Sequence, residues 1–92
     1  MGESVIRQVE IVNEKGLHAR AAARFVETVE RFDAQATVHR DGMEASGDSI
    51  MGLLMLAAPR GSIIEIETRG GEAGALSDAL AALVAARFGE DM

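Results

Sequence analysis

The chain predicts an α+β fold: an open-faced β-sandwich in which a four-stranded antiparallel sheet carries three helices on one face. Three observations lead there. Stretches with a two-residue hydrophobic period and stretches with a 3.6-residue period follow one another as β-α-β-β-α-β-α, which is two layers. The strands alternate apolar with polar residues, which suits an antiparallel sheet with one wet face. The apolar content, 48% of 92 residues, is built largely from small side chains, with sixteen Ala against three Phe and no Trp or Tyr. Small residues let helices lie close on a sheet. The length suits one domain spanning residues 1–92.

The first strand covers Val5 to Val12, with Val5, Val9 and Ile11 on one face and mostly polar residues on the other. Asn13-Glu14-Lys15-Gly16 ends it with turn chemistry. From Ala19 the period changes. Ala22, Phe25, Val26, Val29 and Phe32 form one face of an amphipathic helix of about a dozen residues, and Arg24, Glu27, Glu30 and Arg31 face away. Ala36 and Val38, then Met43 and Ala45, flank Asp41-Gly42, a strong hairpin signal because its two-residue turn needs two positive φ angles.

Ser49 to Ala57 is short and nearly all apolar, and Ser at its front with Pro59 behind favours a short helix. A strand follows Gly61-Ser62, with Ile64 and Ile66 alternating with Glu65 and Glu67, and Gly70-Gly71 breaks it. The last helix places Leu76, Ala79, Leu80, Leu83, Val84 and Phe88 on one face, with Gly89 as its stop.

Composition excludes several classes of function. Without cysteine there is no disulfide and no thiolate metal site. The start, Met1-Gly2-Glu3-Ser4, is acidic where a leader peptide would be basic. The longest non-polar run, Ile50 to Pro59, is far short of the ~20 residues that span a bilayer. Nine basic residues against fifteen acidic ones, with no aromatic platform for stacking, argue against nucleic acid. Small side chains also predict a thin core, so chemistry is expected at the surface, with no metal and no cofactor.

One junction carries chemistry: Gly16-Leu17-His18-Ala19-Arg20, where the first strand passes into the first helix. The first N–H groups of a helix lack internal partners, and the helix dipole adds partial positive charge, so anions bind there. The same dipole disfavours an imidazolium, leaving a neutral imidazole whose lone pair can act as a nucleophile. If His18 attacks a phosphoryl group, the product lies against the N–H groups of Ala19 and Arg20. The Arg20 guanidinium then supplies a permanently charged donor fork. A plain helix cap or a solvated loop residue is the competing explanation for His18. His39, beside the hairpin turn and without a positive cluster, is read as structural. Lys15, Arg20 and Arg24 gather positive charge around His18 although the whole chain carries −6.

These residues match a family. Gly16-Leu17-His18-Ala19-Arg20 followed by small residues resembles the phosphohistidine signature of the HPr family, phosphocarriers of the bacterial phosphoenolpyruvate-dependent phosphotransferase system. The resemblance runs on through the helix, the Asp-Gly hairpin, Gly47-Asp48-Ser49-Ile50-Met51-Gly52, the strand and the last helix. It implies a relay: enzyme I donates a phosphoryl group to Nδ1 of His18, with Arg20 stabilising it, and an EIIA-type protein takes it on. It also implies that Ser49 is a regulatory serine for an HPr kinase/phosphorylase, besides being a helix N-cap. Docking falls to Arg24, Ile50, Met51 and Leu54, because the second helix has more apolar side chains than one buried face uses. A monomeric, cytoplasmic protein is implied.

Two residues depart from the family pattern. Ala21 stands where the family often has Pro, which adds an N–H and softens the helix start. Asp48 places an acid where many members carry a base. A carrier serving a nitrogen-related chain is the alternative within the family, and an unphosphorylated interaction module, with the motif surviving as a helix cap, is the alternative outside it.

Overall fold

The elements follow the expected order: β1 Glu3–Glu10, α1 Ala19–Glu30, β2 Gln35–Arg40, β3 Met43–Ser46, α2 Ile50–Met55, β4 Ile63–Gly70 and α3 Ala73–Ala85, closed by a 3₁₀ turn at Arg87–Gly89. The computed structural model describes residues 3–92; Met1 and Gly2, which open the acidic start, lie outside them. The strands lie in the order β1-β4-β2-β3, antiparallel throughout.

Register explains which face is covered. Val5 pairs with Thr68 and Thr68 with Ala36, while the next row on the same face runs Arg7, Ile66, Val38, Ala45. Thr68, Ala36, Ile66, Val38 and Ala45 are all buried beneath the helices. Arg7 shares that apolar row, where the two-residue period of β1 puts it between Val5 and Val9, although it is charged. It is tolerated at the edge because its long stem carries the guanidinium out to Asp78 of α3, at 2.8 Å. The other face stays wet, with Ile6 exposed and His39 between Glu44 and Glu67.

The β2–β3 hairpin forms at Asp41-Gly42, whose φ angles are 51° and 81°, the two positive values that this turn requires. In α1 the buried side chains are Ala21, Ala22, Phe25, Val26, Thr28 and Val29. Helix α1 ends at Glu30 with Arg31 as its C-cap, so Phe32 packs against the core from the following turn.

The last helix departs most from its expected course. Its periodicity runs on to Phe88, but α3 stops at Ala85, and Arg87, Phe88 and Gly89 take positive φ of 58°, 55° and 81°. Left-handed backbone costs a residue with a Cβ about 1–2 kcal/mol. Full burial of the Phe88 ring, worth roughly 1.5–3 kcal/mol, offsets much of that cost. The turn sends the chain back toward the start of α1, and this reversal builds the site.

Candidate functional site at the start of helix α1

Gly16 sets the geometry. Its φ is 67°, and a Cβ there would lie 2.6 Å from the Ala58 carbonyl oxygen and 2.9 Å from Pro59 Cα. Only glycine meets both conditions. The close approach lets the Leu17 N–H donate to Ala58 O at 2.9 Å, while the Leu17 side chain is buried. His18 follows with extended backbone as the N-cap of α1, its N–H on Gly16 O at 2.9 Å. Buried Leu17 on one side and buried Ala21 and Ala22 on the other hold the His18 backbone in place.

The His18 side chain makes no capping bond to its own helix. The Ala22 N–H bonds His18 O at 2.8 Å, so the N–H groups of Ala19, Arg20 and Ala21 head the helix without an intrahelical acceptor. Arg20 is exposed and lines the same cleft as His18, with Lys15 and Arg24. The positive cluster is therefore present, but Glu14, Glu90 and Asp91 line the cleft too, so its charge is mixed.

Two partners of the site escape any reading of local pattern. Nε2 of His18 meets Oε2 of Glu90 in a short hydrogen bond that spans 72 positions of sequence. Asn13, fully buried, donates from Nδ2 to Gly16 O at 2.8 Å and to Glu90 Oε1 at 3.0 Å. Asn13 reads in the sequence as turn chemistry only, and Glu90 as tail. Partial burial pushes the Glu90 carboxyl up, but hydrogen bonds from His18 and Asn13, and the nearby charges of His18 and Lys15, outweigh this and hold it below the ordinary carboxylate range.

Arg24 is corrected. The helical period places it facing away from the body, yet it is half-buried and its Nη1 donates to Phe88 O at 2.5 Å. The reason is the returning tail, which lies along this side of α1.

Ser49, Ile50, Met51 and Leu54 do not line the cleft around His18. Ser49 is the N-cap of α2, its Oγ accepting the Gly52 N–H at 3.0 Å, as its position before an apolar run implies. Beside it, Asp48 accepts from the Ser46 hydroxyl at 2.5 Å. Of the apolar residues of this helix, Leu53 and Leu56 are buried and Leu54 is half-buried. Ile50, Met51 and Met55 are exposed, at 41%, 70% and 73%. Met55, outside the docking residues that the family resemblance implies, is the most open of the three.

With this geometry in hand, similarity to known proteins is specific. The family profile described as "PTS HPr component phosphorylation site" matches residues 5–86. The phosphocarrier protein HPr of Neisseria meningitidis is 42% identical over 84 residues, covering 91% of this chain and 94% of that protein. The phosphocarrier protein NPr of Shewanella violacea is 44% identical over 84 residues, 91% and 92% of the two chains. The crystal structure of HPr-C-His from Thermoanaerobacter tengcongensis superposes with a TM-score of 0.90 at 34% identity, covering 96% of this chain and 99% of that one. A match of this length, with the histidine signature at the head of α1, shows that the chain belongs to the HPr/NPr family of phosphocarrier proteins of the phosphotransferase system.

Proposed function

We propose that this protein carries a phosphoryl group on Nδ1 of His18, taken from phosphorylated enzyme I and passed to an EIIA-type protein. The observation that carries the proposal is His18 at the N-cap of α1, partly exposed, beside three helix-start N–H groups and Arg20. In the transfer the Nδ1 lone pair bonds to phosphorus. The bond from phosphorus to the donor breaks, and its electron pair leaves with the donor. The Ala19 and Arg20 N–H groups and the Arg20 guanidinium receive the phosphoryl oxygens. An open seat suits a carrier better than an enclosing one, because over-stabilising the phosphorylated ground state slows the next transfer.

Partner proteins dock on Arg24 and on the exposed apolar side of α2, with Ile50 and Met51 as contacts and Leu54 supporting them from its half-buried position. Ser49 is a regulatory phosphorylation site for an HPr kinase/phosphorylase. A phosphate there would add charge at the start of α2, on the surface assigned to partners. The protein works as a monomer in the cytoplasm. No helix among the described residues is long and apolar enough to cross a membrane.

The test supplies phosphoenolpyruvate and enzyme I. The protein is expected to take up acid-labile phosphate and His18→Ala to take up none; uptake persisting in His18→Ala overturns the assignment. A regulatory carrier in a nitrogen-related chain is the second reading, favoured by an NPr relative at 44% identity. Offering the phosphorylated protein a sugar-type and a nitrogen-type EIIA decides between them by which accepts faster.

A further inference from the structure

The last residues of the chain do more than end it. The Arg24 guanidinium holds the Phe88 carbonyl, and a Cβ added at Gly89 would run into that guanidinium. Gly89 thus lets the tail lie flat on α1, and Asn13 catches one oxygen of Glu90. The other oxygen is delivered to Nε2 of His18. The contact is sheltered, with side-chain exposures of 28% for His18 and 17% for Glu90.

An ionised carboxylate only accepts hydrogen bonds, so the ring nitrogen facing it must carry a proton. In a neutral imidazole this leaves the lone pair on Nδ1. We propose that Glu90 is a positioning residue for phosphoryl transfer, keeping a proton on Nε2 before and after Nδ1 takes the phosphoryl group. This rests on the reading of His18 as the acceptor.

The balance of the step shows why that matters. When the Nδ1 lone pair bonds to phosphorus and the donor leaves with its electron pair, the ring keeps its Nε2 proton and becomes a phosphoimidazolium. Its positive charge develops directly against Glu90. In onward transfer the P–Nδ1 pair returns to the ring and the leaving group is a neutral imidazole. If the Nε2 proton is lost first, the leaving group is an imidazolate, which departs far less readily. Glu90 acts across the ring from Nδ1, so its charge supports the imidazolium without standing where the phosphoryl group arrives. The other charged groups lining the cleft are Glu14, Lys15, Arg20, Arg24 and Asp91. Among these and Glu90, only Glu90 is hydrogen-bonded to the ring.

The test uses ¹⁵N-edited NMR of the imidazole at pH 8 on the intact protein and on Glu90→Gln. The wild type is expected to show the proton on Nε2. In Glu90→Gln, whose amide donates as well as accepts, a mixture of tautomers is expected. The phosphorylated form is expected to hydrolyse and to transfer roughly tenfold more slowly, the scale of one unit of proton affinity. Glu90→Ala repeats the test without the amide. Identical ¹⁵N signals and an unchanged phosphohistidine lifetime in both variants overturn the proposal while leaving His18 as acceptor. A wild type that takes up no phosphate overturns the acceptor reading, and the NMR arm still judges Glu90.

Discussion

Gly16→Ala is the sharpest probe of how the site is built. Alanine at a φ of 67° costs about 1–2 kcal/mol relative to glycine. The added methyl would also stand 2.6 Å from Ala58 O and 2.9 Å from Pro59 Cα. Both are backbone atoms, so relief requires moving the loop that receives the Leu17 N–H. Overpacking of that kind adds about 1–3 kcal/mol. A loss of ~3 kcal/mol is expected, which in a domain of this size lowers the melting temperature by roughly 12–24 °C. Gly42→Ala is the control: its φ is 81°, but nothing lies within 4 Å of its Cβ position, so only the conformational cost applies. Urea unfolding followed by circular dichroism measures both. Gly16→Ala is expected to lose at least ~1 kcal/mol more than Gly42→Ala. Equal losses would refute the claim that contact with the Ala58–Pro59 backbone positions His18.

Four further outcomes follow from the same geometry. Arg20→Ala is expected to slow phosphoryl transfer about tenfold or more with an unchanged melting temperature, because Arg20 is exposed; stopped transfer assays and a thermal melt check the two arms. Asn13→Ala removes a fully buried donor to Gly16 O and Glu90, and denaturant titration is expected to show a loss of about 1–3 kcal/mol. Ser49→Ala removes the cap of α2 and is expected to cost ~1 kcal/mol, with the acid-stable phosphate of an ATP-dependent HPr kinase reaction lost as well. Finally, the Glu90 carboxyl is held below its ordinary value of 4.5. A depressed carboxylate adds stability above its unfolded value and loses it as pH falls through the folded one. The stability gap between wild type and Glu90→Gln is therefore expected at pH 6 and to close below pH 4.5, read from denaturation midpoints across that range.

Much of the molecule is legible locally. Asp41-Gly42 demands a hairpin whatever surrounds it, since few other residue pairs adopt two positive φ angles cheaply. Ser49 announces a helix start because its hydroxyl oxygen can accept the otherwise unpaired N–H three residues on. His18 after Gly16 and Leu17 marks the head of α1, where the proposed phosphoryl acceptor stands. Arg7 sits in line with Val5 and Val9, where the two-residue period puts it, and Asp78 of α3 receives its guanidinium. Period gave way where the chain obeyed a distant partner. Arg24 turns toward the body because the tail supplies Phe88 O. Phe88 belongs to the core, as its spacing from Leu80 and Val84 suggests, but arrives there through a left-handed turn and not along the helix.

The boundary between these two groups is physical. Turns, caps and helix faces depend on dihedral preferences and on partners within a few residues, so the alphabet of side chains records them directly. The order β1-β4-β2-β3 and the meeting of Asn13, His18 and Glu90 depend on packing between segments far apart in the chain. No local period encodes such a meeting. The proposed acceptor is therefore readable from His18 and its neighbours, whereas the group that faces its Nε2 depends on the tail folding back on α1.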